Sequence, residues 1–338
     1  MLGYTILNDY SNTNIYSKKL IMNALLFPGQ GSQAVGMGLE FYDKFEIVKK
    51  IFKKADEKLN FSITKLILEG PSSELQLTKN TQPAILTVSY SIFKVLKEEF
   101  NFDLNSFKFF AGHSLGEYTA YVCAESLDFA DAVYLLRERG NAMQQAVPIG
   151  KGSMVAVLGL KIDELNKLIN EFNNKNEKFL CEIANDNAEG QVIISGEVES
   201  INKFMQELKL KKIKSIPLKV SAPFHCSLMK PAADIMKEKI NNISFNKPKF
   251  KIINNVNAKI ENDTSKIKNL LIDQICSTVK WRESILEASN SGIRNFVEIG
   301  PGKALNGMVK RTIKKNPVSC FSVNSLNDIS ILQDELKK

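Results

Sequence analysis

The pentapeptide Gly112-His113-Ser114-Leu115-Gly116 constrains this chain more than any other stretch. Residues 107–111 before it (Phe-Lys-Phe-Phe-Ala) are short, apolar and aromatic, as a buried strand requires. Residues 117–124 after it contain no helix breaker and read as a helix. Serine between two glycines at a strand-to-helix turn is the nucleophile-elbow pattern. Such a turn is sharp, so its flanking positions must lack a bulky Cβ, and the serine oxygen is pushed out above the sheet. The same turn aims the Leu115 N–H, at the start of a helix, toward any oxyanion that forms beside Ser114.

A serine hydroxyl is a poor nucleophile near neutral pH and needs a base, most often histidine. The chain has two histidines, His113 and His225. A residue next to the nucleophile on a tight turn points away from it, which makes His113 awkward as the base. His225 lies in the Pro-punctuated stretch Val220-Ser221-Ala222-Pro223-Phe224-His225-Cys226, the kind of loop where functional side chains sit. On the residues alone, His225 reads equally as that base or as a satisfied loop histidine.

At 338 residues and 44% hydrophobic, the chain can bury one large core or two modest ones. No apolar run approaches the ~20 residues that span a membrane. The five cysteines are scattered and odd in number, with no C-x-x-C pair. That speaks against a disulfide framework and a zinc site, and for a reducing, cytoplasmic setting. With two histidines there are few soft ligands, so no metal is expected. The net charge of +8 comes from 45 Lys+Arg against 37 Asp+Glu. No basic run is interleaved with aromatics, which disfavours a nucleic-acid reading. The surplus is either a solvated Lys-rich surface or a patch that steers an acidic partner.

Residues 1–21 are polar and aperiodic, without the apolar core of a leader, and are expected to be either a disordered extension or a start assigned too early, since Met22 directly precedes the first strand. A strand over 23–27 then runs into Pro28-Gly29-Gln30-Gly31-Ser32-Gln33, a loop whose backbone can approach a ligand closely. It is neither a Walker loop nor a dinucleotide fingerprint. Helical patterns cover 45–59, 83–100 with Pro83 in the first turn, and 128–147 with Asp128 as cap. The last of these carries Arg137 and Arg139. From Gly150 the order becomes β-α-β-β-α-β, with strands over 153–158, 179–185, 191–195 and 213–218 and helices over 163–172 and 199–208. This is the split βαβ, ferredoxin-like unit, so residues 150–218 read as a small domain inserted into a large one made of 22–149 and 219–338. Beyond it follow a helix from Leu228, a strand over 251–253, a helix over 266–275, a strand over 295–299 and a helix from Ala304. Alternating strands and helices imply a mainly parallel sheet covered on both faces.

Several blocks stand together in a telling order. They are Phe27-Pro28-Gly29-Gln30-Gly31-Ser32-Gln33, Thr81-Gln82-Pro83-Ala84, Gly112-His113-Ser114-Leu115-Gly116-Glu117-Tyr118 and Arg137-Glu138-Arg139-Gly140. Downstream come Gly190-Gln191-Val192-Ile193-Ile194-Ser195-Gly196, Pro223-Phe224-His225 and Glu298-Ile299-Gly300-Pro301-Gly302-Lys303. In this the chain resembles the malonyl-CoA:acyl carrier protein transacylases, from about Met22 to near the C-terminus. The resemblance implies an α/β-hydrolase-like large domain with a ferredoxin-like insertion. It implies Ser114 as nucleophile and His225 as general base, then acid, in a Ser–His dyad whose histidine is oriented by the Gln274 carbonyl. Gln30 and Leu115 would supply the oxyanion-hole N–H groups, and Arg139 would hold the substrate's free carboxylate. Phe224 would crowd a methyl branch, and His113 would pack beside the site in support. Glu189 stands where the family usually has proline, in a small-domain turn, so altered loop stiffness is expected without loss of chemistry.

The implied substrates are malonyl-CoA and holo-acyl carrier protein, with no metal or redox cofactor. The implied partner is an acidic acyl carrier protein, with no nucleic acid or membrane, for a monomeric cytoplasmic enzyme of fatty-acid synthesis. The competing readings are a hydrolase on a similar elbow, a transferase of another acyl group, and a catalytically silent scaffold.

Overall fold

The computed structural model describes residues 22–175, 180–220 and 222–336, so the expectation for residues 1–21 falls outside it. Its larger sheet has the order β7-β2-β1-β8-β9 and every pairing is parallel. The strands are β1 (Met22–Phe27), β2 (Phe107–Gly112), β7 (Lys251–Ile253), β8 (Ile293–Ile299) and β9 (Ser319–Val323). β1 shows why both faces are covered: Leu25 and Phe27 enter one core with Phe110, while Ala24 and Leu26 enter another with Phe109, Ala111 and Trp281. β1 is central and β2 lies beside it, so the turn after β2 emerges at the C-terminal edge of the sheet, where α/β proteins place their sites.

The second sheet has the order β4-β5-β3-β6, wholly antiparallel, from β3 (Gly152–Leu158), β4 (Cys181–Ala188), β5 (Gln191–Glu197) and β6 (Lys214–Pro217). Helices Ile162–Lys175 and Val198–Leu210 bury Leu165, Ile169, Phe172, Ile201, Phe204 and Leu208 against Val155, Val157, Val192 and Ile194. This is the expected βαββαβ unit with its own core. Strand β4 runs past the expected end at 185, and residue 179 of that expectation lies outside the described residues. The second half of β4 is tied to the segment just before helix Trp281–Asn290. Asp186 N–H donates to Val279 O at 3.0 Å, Val279 N–H donates to Ala184 O at 2.9 Å, and Thr278 Oγ1 donates to Ile183 O at 2.6 Å. Beside them the buried Asp186 carboxylate accepts from Arg282 Nε at 2.9 and 3.0 Å.

One expected element differs in an informative way. The helix expected to open at Pro83 starts at Thr78 and runs to Glu98, so Pro83 lies inside it. A proline there leaves the carbonyl four residues back without its helical donor. Arg137 Nη1 donates to that Lys79 carbonyl at 3.3 Å and also to Asn80 Oδ1. Gly140 lets the neighbouring helix, Phe129–Gln145, come this close: a Cβ there would lie 2.5 Å from Lys79 Cα. Arg137 is therefore half-buried, not a solvated helix cation. The helix expected over 266–275 is Thr264–Asp273, tightening into a 3-10 turn over Gln274–Cys276. Strand β9 and helices Trp281–Asn290 and Leu326–Leu336 are further elements beyond those expected from the sequence. Among the described residues no helix is long and apolar enough to cross a membrane.

Candidate active site

The turn after β2 is as tight as its glycines imply. A Cβ on Gly112 would sit 1.9 Å from the backbone of Gly116, and one on Gly116 would sit 2.2 Å from Phe27 O. Ser114, at the crest, has φ 53° and ψ −109° and is the N-cap of helix Leu115–Cys123. A left-handed φ at a non-glycine residue is strain that the surroundings must hold. Asn255 holds it, accepting from Ser114 N–H at 2.7 Å while its Nδ2 donates to Gly112 O at 2.8 Å.

Ser114 Oγ lies 2.8 Å from His225 Nε2. His225 Nδ1–H donates to the Gln274 carbonyl at 2.8 Å, which leaves Nε2 as the acceptor for the serine proton. That carbonyl is available because the chain leaves the α-helix at Asp273. Arg139 reaches the Ser114 oxygen from helix Phe129–Gln145: Nη2 donates to Ser114 Oγ at 3.0 Å and to the side-chain Oε1 of Gln274 at 2.8 Å, and Nη1 donates to Gln82 Oε1 at 2.7 Å. The guanidinium is buried, and these partners are neutral groups.

Leu115 is the first residue of its helix, so its N–H is free of the helical ladder. The Gly29–Gln30 loop presses on the elbow, since a Cβ on Gly29 would lie 2.7 Å from His113 O. Gln30 thereby lines the same cavity as Ser114 and Leu115. The cavity, of about 320 Å³, lies between the two sheets, and its apolar lining includes Met143, Met154, Ile193, Leu218 and Phe224. His113 turns away from the serine oxygen: its Nε2–H donates to Asn187 Oδ1 at 2.8 Å on β4, and its ring leans on Trp281. Seven of the eight residues singled out from the sequence line this one cleft, namely Ser114, His225, Arg139, Gln30, Leu115, Phe224 and His113, while Gln274 is buried behind it against His225 and Arg139.

Residues 24–328 match the acyl transferase domain family. The malonyl CoA-acyl carrier protein transacylase of Bacillus subtilis is 42% identical over 316 residues, covering 93% of this chain and 97% of the relative. The chain belongs to the malonyl CoA-acyl carrier protein transacylase family. An acyl-carrier-protein-S-malonyltransferase from Bartonella henselae superposes with a TM-score of 0.89 at 37% identity, covering 94% of this chain and 100% of that one. A malonyl-transacylase solved in complex with its type II PKS acyl-carrier protein superposes with a TM-score of 0.87 at 36% identity, covering 93% and 99%. The chain is an acyltransferase with the two-sheet architecture of this family.

In this acyltransferase, burial first and the Arg139 charge second push the His225 imidazole down to about 3, so it is neutral across the physiological range. Burial likewise lowers His113. Among the described residues no cluster of three or more His, Cys, Asp or Glu side chains is placed to hold a metal ion. Four buried side chains at the site had no role assigned from sequence: Gln82, Asn187, Asn255 and Glu117. Gln82 and Glu117 sit inside the family motifs, which flags them without saying what they do. Asn187 and Asn255 carry no chemical signature, and their use depends on partners brought from elsewhere in the chain. Glu298, also in a motif, accepts from Leu305 N–H at 3.2 Å and Asn306 N–H at 3.0 Å. It caps helix Ala304–Thr312, whose Ala304, Leu305 and Met308 line the cavity.

Proposed function

We propose that this acyltransferase moves a malonyl group from malonyl-CoA to the phosphopantetheine thiol of an acyl carrier protein, through a malonyl ester on Ser114. The observation that carries the reading is Arg139. It is a buried two-donor fork at 3.0 Å from the serine oxygen, and its hydrogen-bond partners are neutral. A planar carboxylate fits that fork with two charge-assisted bonds, whereas an acetyl methyl would leave the cation facing an apolar group.

In the first half-reaction His225 Nε2 takes the Ser114 proton as Oγ attacks the thioester carbonyl. The carbonyl oxygen becomes an oxyanion between the N–H groups of Leu115 and Gln30. The C–S bond then breaks, CoA sulfur takes the proton from His225, and the malonyl-serine ester remains. In the second half-reaction the carrier thiol gives its proton to His225 and attacks the ester, and Ser114 leaves with that proton. The two halves share one site, so the kinetics are ping-pong. The neutral, carbonyl-oriented imidazole supports the dyad role. Phe224 in the cavity wall supports exclusion of branched acyl groups.

A basic mouth supports an acidic carrier as acceptor. Helix Ala304–Thr312 lines the cavity and exposes Lys310 and Arg311, and Arg311 Nη1 reaches Gln191 of β5 at 3.0 Å. The family membership supports placement in fatty-acid synthesis, and we further propose a cytoplasmic, monomeric enzyme with residues 150–218 as its inserted domain.

The test is intact mass after brief incubation with malonyl-CoA, then a chase with holo-carrier protein. A malonyl adduct absent in Ser114→Ala and discharged onto the carrier is expected. Free malonate released faster than malonyl-carrier would make the protein a hydrolase. No adduct and no turnover would leave a silent scaffold.

A further inference from the structure

Among the described residues Glu117 is the carboxylate that contacts both Gln274 and Asn255 beside Ser114, and the proposed reaction makes no use of it. It lies in the first turn of helix Leu115–Cys123 and is fully buried. Its Oε2 accepts from Asn255 N–H at 3.0 Å and from Gln274 Nε2 at 2.7 Å, while Oε1 is buried with no hydrogen-bond partner among the described residues.

Gln274 is the hub these bonds reach. Its backbone carbonyl orients His225, and its side-chain oxygen accepts from Arg139 Nη2. An amide has one accepting end and one donating end, and Arg139 can only donate. The Gln274 oxygen meets Arg139 only if its NH₂ is drawn to the opposite side. Two weaker acceptors lie there, Ser114 O at 3.1 Å and Asn255 Oδ1 at 3.4 Å. Each already accepts a main-chain N–H, from Glu117 at 3.0 Å and from Ser114 at 2.7 Å respectively. Glu117 Oε2 is nearer than either and is the acceptor that decides the amide's orientation.

We propose that Glu117 is a positioning residue for acyl selection: by accepting from Gln274 Nε2 it turns the Gln274 oxygen onto Arg139 and fixes the fork that receives the free carboxylate. This rests on the reading of Arg139 given above. Reversal of the amide would set two donors against each other at Arg139 and displace the fork, while the Gln274 main-chain carbonyl would stay in place for His225. Loss of Glu117 therefore acts on recognition of the carboxylate more than on the reactivity of Ser114.

The experiment compares acyl-enzyme formation from malonyl-CoA and acetyl-CoA in wild type, Glu117→Leu, Glu117→Gln, Gln274→Met and Arg139→Ala, each checked for a native melting transition. Glu117→Leu is expected to lower malonylation about tenfold more than acetylation, mainly through KM. Glu117→Gln, which keeps an acceptor for both N–H groups, restores the preference to within about threefold of wild type. Gln274→Met keeps the carbonyl but removes the amide, so it reproduces the Glu117→Leu ratio. It also serves as the reporter if Glu117→Leu does not fold, and adding Glu117→Leu to it changes the ratio no further. Equal loss of malonyl and acetyl transfer in Glu117→Leu, or an unchanged ratio in Gln274→Met, overturns the proposal. An unchanged ratio in Arg139→Ala overturns the reading beneath it, and is distinguishable because it needs no change at Glu117.

Discussion

Replacing Arg139 by alanine is the most direct test of the proposed recognition of the substrate carboxylate. The guanidinium is buried and anchored by Gln82 and Gln274, so its fork is already aimed before substrate arrives. A charge-assisted hydrogen bond contributes about 1.5–3 kcal/mol, and the fork can make two to one carboxylate. The loss is then about 3–6 kcal/mol, which lowers kcat/KM for malonyl-CoA about 10²- to 10⁴-fold at 1.4 kcal/mol per decade. Acetyl-CoA gains nothing from the fork, so its rate constant should hold or rise. The malonyl-to-acetyl ratio falls by the full factor. Arg139→Lys keeps the charge but not the planar pair of donors, and should lie between. The assay is time-resolved intact mass of the acyl-enzyme with each thioester, beside a melting curve, because alanine leaves Gln82 and Gln274 oxygens without this donor. A ratio within about threefold of wild type in folded Arg139→Ala protein would refute the assignment of the carboxylate to this residue.

His225 sets the pH response. With its imidazole pushed down to about 3, acylation by the free enzyme should stay level as pH falls through 6.5, where an ordinary histidine would switch off. A stopped-flow profile with a midpoint near 6.5 would count against the buried, neutral base. Stability follows the same group. The unfolded chain protonates His225 below about 6.5 while the native chain does not, so this residue lowers stability progressively as pH drops from 6.5 toward 3. Glu117 has the opposite sign, its carboxyl being pushed up to about 7 mainly by burial. It costs stability as pH rises from about 4.5 to 7, and Glu117→Gln should flatten that limb in urea titrations. Gly112→Ala forces a Cβ to 1.9 Å from Gly116 backbone and should abolish the acyl-enzyme and the native melting transition together. Asp186→Ala leaves Arg282 beside β4 without its carboxylate and should cost about 3 kcal/mol in urea unfolding, with acyl preference kept. Reversing Arg311 and Lys310 to glutamate should raise KM for the carrier protein and leave that for malonyl-CoA unchanged. Equal KM for the carrier would remove the basic mouth from the docking surface.

The elbow, the two sheet types and the αβ alternation could be read from the sequence because each is written within a few residues. Apolar runs mark buried strands, paired glycines mark the sharp turn, and Asp128 caps its helix through Ala130 and Asp131 N–H. The supporting groups were silent for a physical reason. Asn255 acts on Ser114 across 141 positions, and nothing beside Asn255 says so. The motif block around Arg139 and the wider family resemblance singled out Arg139 and Gln274, which local pattern alone could not distinguish from other helical residues. Pro83 misled because the local rule puts proline at a helix start. Arg137, from another helix, satisfies the carbonyl that made an interior proline unfavourable. Strand β9 went unread because it is a half-exposed edge, where no alternation is enforced.

The bonds between β4 and the segment around Val279 limit how this molecule can be rebuilt. Sequence suggests that the small unit could be lifted out at its two linkers and exchanged between relatives. Ala184, Asp186 and Val279 share main-chain hydrogen bonds, however, and Asp186 is closed by Arg282. A graft cut at the linkers would sever that seam and reset the width of the cleft. A working chimera must carry residues 277–282 with the insert, so the unit of exchange is discontinuous in the chain although continuous in space.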